Sequence, residues 1–210
     1  MAFDLSLYLV TDRQLSLGRD IEWIVTEAVK GGVTMVQLRE KDCSTREFIN
    51  LATSLKQQLK DLHIPLIIND RIDVALAVDA DGVHIGQNDM PYSLARKLLG
   101  PDKIIGLSVE SVGQVEEANM LDVDYIGISP VFGTPTKTDT SQPFGLKGTA
   151  EAVKLSRHPA VGIGGINEKN AFEVMQTGIN GIAVVSGICS APDPAEAAKR
   201  LKMLSHTNSH

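Results

Sequence analysis

The residues best suited to chemistry fall in short clusters separated by long unremarkable stretches. Arg39, Glu40 and Lys41 form one cluster, Asn69, Asp70 and Arg71 a second, and Gln87, Asn88 and Asp89 a third. Ser108 follows an apolar run, and Thr134, Thr136, Lys137 and Thr138 fill a polar connection. Gly162-Ile163-Gly164-Gly165 and Val185-Ser186-Gly187 close two further runs. Two carboxylates, Asp70 and Asp89, beside Arg39 and Lys41 suit a Mg²⁺ ion and a diphosphate, because Mg²⁺ takes one or two protein carboxylates and completes its shell with water and phosphate oxygens. Arginine offers phosphate a bidentate fork and lysine a point charge. Glycine-rich turns let backbone N–H groups approach an anion. Together these groups describe two anion sites, one assisted by a metal and one made of amides, as would serve two phosphorylated substrates being joined or exchanged.

Taken singly, each cluster has a plainer reading. Arg39 to Lys41 could begin a solvated helix, and Asn69 serves equally as an Asx turn. Asp89 before Met90-Pro91 fits a helix N-cap, Gly162 to Gly165 a tight turn, and His84 a satisfied buried histidine rather than a ligand. Only a shared location at the strand ends would make the clusters one site.

Eight short apolar runs set that frame: 7–10, 35–39, 65–69, 82–85, 104–108, 125–129, 160–164 and 181–185. Most are rich in Val, Ile and Leu and too short for helices, so they read as strands. Helical spacing between them predicts helices over 20–31, 45–60, 71–79, 91–99, 110–121, 147–157, 167–178 and 193–204. Ser44 with Glu47 makes a capping box, Asn167 and Asp193 are N-cap candidates, and Gly178 suits a C′ position. Eight strand-then-helix units in strict alternation favour a closed (β/α)₈ barrel of the TIM type over a doubly wound open sheet. The polar or glycine-rich clusters follow seven of the eight strands, on the face where such barrels build active sites. Neighbouring parallel strands lie about 4.8 Å apart, so the clusters after strands 2, 3 and 4 share one corner and those after strands 7 and 8 lie opposite. The connection 133–148 is long for a compact domain and is expected to be a lid or binding loop.

Composition agrees. The 210 residues suit one domain, expected over 1–204 with a disordered tail at 205–210. Apolar residues make up 43 % and aromatics only 4 %, so aliphatic side chains must fill the core. A net charge of −6 with no basic cluster argues against nucleic acid as the partner. No run reaches the roughly 18 apolar residues of a membrane span, and the opening MAFDLSLYLVTDR lacks the basic segment of a secretory signal. Cys43 and Cys189 are expected to be reduced thiols in a cytoplasmic protein. The sequence leaves the oligomeric state open, a homo-oligomer included.

The segments YLVTDR, VQLREK, IINDRIDVALAVDADGVHIGQNDMP, IGLSVES, DYIGISPVFGTPTKTD, VGIGGI and VVSGI resemble the thiamine-phosphate synthase (thiamine-phosphate pyrophosphorylase) family from about residue 7 to about 190. Ser129, where many members carry glycine, and the stretch 138–148 depart from the family pattern. The resemblance implies a (β/α)₈ barrel that joins a hydroxymethylpyrimidine diphosphate to a hydroxyethylthiazole phosphate with Mg²⁺, releasing diphosphate. It implies that Gln37, Leu38, Arg39, Glu40, Lys41 and Asn69 bind the pyrimidine diphosphate and that Asp70 and Asp89 hold Mg²⁺. Ser108 and Lys137 would contact the pyrimidine or diphosphate. Thr134, Thr136, Gly165, Val185 and Ser186 would take the thiazole phosphate. The implied chemistry is dissociative: Arg39, Lys41, Ser108 and Lys137 would be catalytic, and a pyrimidine-methyl cation would be captured by the thiazole nitrogen. A sugar-phosphate barrel using Lys41 or Lys137 as a Schiff-base lysine would need that lysine desolvated. The tautomerase-like branch of the superfamily is expected to lack the full set of Asp70, Asp89, Thr134, Thr136 and Lys137.

Overall fold

A computed structural model of the chain describes residues 3–133 and 142–205. Its strands are β1 (Leu7–Val10), β2 (Met35–Leu38), β3 (Leu66–Asn69), β4 (Gly82–Ile85), β5 (Ile104–Val109), β6 (Tyr125–Ile128), β7 (Ala160–Ile163) and β8 (Gly181–Val184). All neighbours pair in parallel, and β8 returns to β1 through Leu7↔Ile182, Tyr8↔Ala183 and Leu9↔Val184. That last pairing closes the barrel and rules out the open sheet.

The described helices are α1 (Ile21–Lys30), α2 (Thr45–Lys60), α3 (Ile72–Ala77), α4 (Tyr92–Leu99), α5 (Val112–Ala118), α6 (Gly145–Leu155), α7 (Ala171–Met175), α8 (Ser186–Cys189) and α9 (Pro194–Ser205). In α2, Ser44 accepts from the Glu47 amide while the Glu47 carboxylate accepts from the Ser44 amide, the expected capping box. Phe48, Ala52, Leu55 and Leu59 form the buried stripe of α2, with Leu51 half-buried beside it. Asp193 accepts from the Glu196 amide at 3.0 Å and caps α9 as expected.

Several elements differ from the sequence reading: α3 and α5 are shorter at both ends, and α6 begins and ends two residues earlier than expected. The helix expected from 167 begins only at Ala171, because Asn167 Oδ1 accepts from the Lys169 amide and Asn170 Oδ1 accepts from the Asn167 amide, closing a local turn first. The short α8 was not foreseen, since four residues hold no period. Finally, α9 carries on through Ser205, whose hydroxyl donates to Lys202 O and which is buried, so the helix ends one residue further than expected.

Strand alternation sorts the interior into two cores. Outward residues such as Leu7, Leu9, Val36, Leu38, Ile68 and Val83 pack beneath the helices. Inward residues Tyr8, Val10, Met35, Ile67, Ile104, Tyr125, Val161 and Ala183 fill the barrel itself. Two of the three tyrosines therefore sit inside the barrel. Gly106, in register with Tyr125, makes room for one of them: a Cβ there would lie 2.1 Å from Tyr125 Cζ.

Candidate active site

A cavity of about 280 Å³ opens at the C-terminal ends of the strands. From the sequence candidates it gathers Gln37, Arg39, Lys41, Asn69, Asp70, Asp89, Ser108, Gly165, Val185 and Ser186. Leu38 and Glu40 are not among its lining residues. Both lie one residue out of phase with Gln37, Arg39 and Lys41, so alternation turns them away from the mouth. Leu38 is fully buried in the outer core. Glu40 is buried, with Oε2 accepting from Arg13 Nε at 2.9 Å and Oε1 without a partner among the described residues. Thr134, Thr136 and Lys137 lie outside the described residues.

The corner after β2, β3 and β4 is a compact set of opposed charges. Lys41 Nζ donates to Asp70 Oδ2 at 2.6 Å. Arg39 Nη1 donates to Asp12 Oδ2 at 2.7 Å. Asp89 Oδ2 accepts from the Gly86 amide at 2.7 Å, which folds the carboxylate back over its own loop. That bond answers the N-cap reading: α4 starts at Tyr92 with no side-chain cap. Burial pushes the Asp89 carboxyl above its ordinary value, and contact with Asp70 and its charge push the same way, against the Gly86 amide and Lys41. Asp70 itself has φ 59°, a left-handed backbone uncommon for a non-glycine residue. The Asn69 side chain forms no hydrogen bond to another described residue, which answers the Asx-turn reading and leaves its amide to the cavity.

Across the mouth, Gly164 (φ 101°) and Gly165 (φ 67°) carry the turn after β7. A Cβ on Gly164 would meet Pro130 Cβ at 2.7 Å, and one on Gly165 would meet Phe132 Cβ at 2.8 Å, so conformation and space both require glycine. The Gly165 carbonyl accepts from Asn170 Nδ2 at 2.9 Å, fixing the turn. The N–H groups of Gly165 and Ser186 find no acceptor among the described residues, and both residues line the cavity. This wall can offer backbone donors to an anion.

The floor between these walls holds Gln37, Tyr8, His84 and Ser108. His84 is hydrogen-bonded at both nitrogens, to Tyr125 and to Ser108, as expected for a satisfied buried histidine, yet it also lines the cavity. Sequence reasoning passed over Asp12, Tyr8 and Tyr125. For Asp12 the signal was present: Thr11-Asp12-Arg13 is the polar cluster after β1, the one strand end outside the seven counted. For the tyrosines there was none, because an inward strand position looks the same whether it faces a core or a site.

A closed barrel whose mouth pairs a cation–carboxylate corner with a glycine-built amide wall defines a phosphate-handling enzyme of the (β/α)₈ class. Residues 7–188 match the family model described as thiamine monophosphate synthase. The chain is 54 % identical over 195 residues to the thiamine-phosphate synthase of Vibrio campbellii, covering 93 % of this chain and 95 % of that protein. It is 49 % identical over 205 residues to that of Syntrophomonas wolfei, covering 98 % of each. Its fold superposes on a thiamine phosphate pyrophosphorylase from Pyrococcus furiosus with a TM-score of 0.88 at 40 % identity, over 96 % of this chain and 95 % of that one. A 3-hexulose-6-phosphate synthase shares the fold alone, with a TM-score of 0.70 at 16 % identity. The chain belongs to the thiamine monophosphate synthase family, and is an enzyme of the thiamine-phosphate synthase type, a transferase of thiamine biosynthesis. Among the described residues, no helix is long and apolar enough to cross a membrane.

Proposed function

We propose that the enzyme couples 4-amino-2-methyl-5-hydroxymethylpyrimidine diphosphate with hydroxyethylthiazole phosphate, yielding thiamine phosphate and diphosphate. The observation that carries this reading is the pair of opposed anion walls in one cavity, with Arg39, Lys41, Asp70 and Asp89 on one side and the Gly165 and Ser186 amides on the other. The Lys41 side chain is 49 % exposed and paired with Asp70 at 2.6 Å, which argues against a Schiff-base lysine at position 41, since that chemistry needs a desolvated amine.

The donor set suits Mg²⁺. Asp70 and Asp89 are two carboxylates in contact, one of them driven towards protonation by burial and by the other, and a divalent cation relieves both effects. Asp70 and Asp89 would hold the ion, and it would supply charge stabilisation for the leaving diphosphate. Groups of three or more His, Cys, Asp or Glu able to hold a metal are absent among the described residues, so substrate oxygens and water would complete the shell.

The chain's own residues then divide the work. Arg39, steered by Asp12, and Lys41, steered by Asp70, face the diphosphate and stabilise the charge that builds on it as the carbon–oxygen bond breaks. Lys137, with Thr134 and Thr136, is assigned to the same step and to the thiazole phosphate on the resemblance alone. Asn69, Gln37 and Ser108 orient the pyrimidine. The amides of Gly165, Val185 and Ser186 hold the thiazole phosphate so that its ring nitrogen captures the pyrimidine-methyl cation, and proximity supplies much of the rate. No protein nucleophile is required. Cys43 and Cys189 are free thiols, and burial pushes Cys189 up to about 11, so that thiol is not an activated nucleophile. The test is direct: mix the protein with both substrates and Mg²⁺ and measure diphosphate together with coupled product. Saturating substrates without product would refute the assignment.

A further inference from the structure

The barrel interior holds a continuous file of polar atoms whose three middle members, Tyr8, Tyr125 and His84, have no part in the reaction as assigned above. Gln37 Nε2 donates to Tyr8 OH at 2.9 Å. Tyr8 OH lies 2.9 Å from Tyr125 OH, Tyr125 OH lies 2.9 Å from His84 Nδ1, and His84 Nε2 lies 2.8 Å from Ser108 Oγ. The file crosses the barrel from β2 and β1 to β6, β4 and β5. Tyr8 and Tyr125 are at most 1 % exposed and Gln37 is 4 % exposed, so water does not compete for the bonds among these three. The sequence builds space for it. Besides the slot that Gly106 leaves for Tyr125, Gly127 lets the His84 ring approach, a Cβ there lying 3.1 Å from His84 Cε1.

The two ends differ in chemistry, and this gives the file a direction. An amide nitrogen only donates. Tyr8 oxygen therefore accepts from Gln37, and its own proton passes to Tyr125. Tyr125 in turn gives its proton to His84 Nδ1. A nitrogen that accepts carries no hydrogen, so the imidazole proton resides on Nε2 and points at Ser108 Oγ. Ser108 receives a hydrogen bond from behind, and its own hydroxyl hydrogen is left to face the cavity that Ser108 lines. Burial pushes both phenols above their ordinary range, which keeps them protonated as the file requires.

We propose that Tyr8 and Tyr125 are positioning residues that transmit the polarity of the Gln37 amide across the barrel, fix His84 as its Nε2–H tautomer and present the Ser108 hydroxyl as a donor to the bound pyrimidine substrate. The last clause rests on the assignment of Ser108 to the pyrimidine; the direction of the file does not. Strand pairing alone would have left these side chains as packing. The file makes them a relay whose setting is chosen about three residues away from the atom that uses it.

The relay is read in the free protein, without substrate, by the two-bond ¹H–¹⁵N correlation pattern of the histidine rings. The His84 signal is identified by its loss in His84→Gln. The expected result is the Nε2–H pattern. Gln37→Glu at pH 8 keeps the side-chain shape but replaces the donor with a carboxylate that accepts from Tyr8, and every bond behind it must reverse, so His84 should switch to the Nδ1–H pattern. Tyr125→Phe removes the donor to Nδ1 and should give a mixture of tautomers, with kcat lowered about tenfold and the KM for thiazole phosphate unchanged. An Nδ1–H pattern in the unsubstituted protein, or no change of pattern in Gln37→Glu, would overturn the relay. If the tautomers behave as stated but no thiamine phosphate forms from the two substrates, the relay stands and the substrate assignment falls.

Discussion

Asp12 gives the sharpest test of how the diphosphate corner is built. Its two oxygens have separate tasks. Oδ1 accepts from the amides of Gln14 and Leu15 at 3.0 and 3.1 Å, closing an Asx-type turn after β1. Oδ2 accepts from Arg39 Nη1 at 2.7 Å. Asp12→Asn can keep the first task, since the amide oxygen still accepts, and loses the charge of the second. Hydrogen bonds to charged groups contribute about 1.5–3 kcal/mol when buried, and the Arg39 side chain is 24 % exposed, so screening reduces that to about 1–2 kcal/mol. For a chain of about this size, that lowers Tm by roughly 2–8 °C. The kinetic consequence should be larger than the thermal one. Arg39 loses its anchor and its fork no longer meets the diphosphate in a fixed pose, so kcat/KM for the pyrimidine diphosphate should fall about 10- to 100-fold, a loss of about 1.4–2.8 kcal/mol. KM for the thiazole phosphate should hold, because the glycine wall is untouched. The assays are thermal melting and initial rates with each substrate varied in turn. Equal losses against both substrates, or kinetics unchanged despite a lower Tm, would show that Asp12 only closes its turn.

Further outcomes follow from the same geometry. Asp89 has a carboxyl raised by burial and by Asp70, so its ionised form costs the native state stability as pH rises through its folded value, while below the ordinary value of 3.8 it is protonated in both states and costs nothing. Asp89→Asn should therefore melt above the unsubstituted protein at pH 7 without metal, with the gap closing towards pH 4; Mg²⁺ should raise the Tm of the unsubstituted protein and not of the variant, and activity should be lost. Gly165→Ala meets both a φ of 67° and a Cβ 2.8 Å from Phe132 Cβ, so it should cost about 1–3 kcal/mol and raise KM for the thiazole phosphate selectively, measured by denaturant titration and initial rates. Gly106→Ala drives a methyl into the Tyr125 ring and should lower Tm at least as much while disturbing the His84 ring signals. Lys137→Ala should lower turnover more than thiazole affinity; an unchanged kcat would remove it from the chemistry.

Much of this molecule is legible in its sequence because its chemistry is tied to period and position. The eight aliphatic runs could bury themselves on both faces only in a parallel sheet, and the polar clusters fall at their C-terminal ends, so fold class and the corner formed by Arg39, Lys41, Asp70 and Asp89 could be read without coordinates. The five residues Gln37 to Lys41 show the limit. Treated as a block, all five were expected at the substrate; treated as a strand and its exit, alternate residues turn away, and Leu38 joins the outer core while Glu40 meets Arg13.

Barrel closure decided the rest. Which end of the barrel carries the site follows from strand direction, a local property that the chain order already contains. Which side chains meet inside the barrel depends on register across strands far apart in sequence: Tyr8 and Tyr125 touch across 117 residues, and Asp12 reaches Arg39 only when β1 and β2 align Val10 with Gln37. Residue types and spacing settled what chemistry the mouth could hold. The pairing of strands, a balance of packing volumes that no single segment encodes, determined that one wall carries the charges, another the amides, and that a file of hydrogen bonds runs beneath them both.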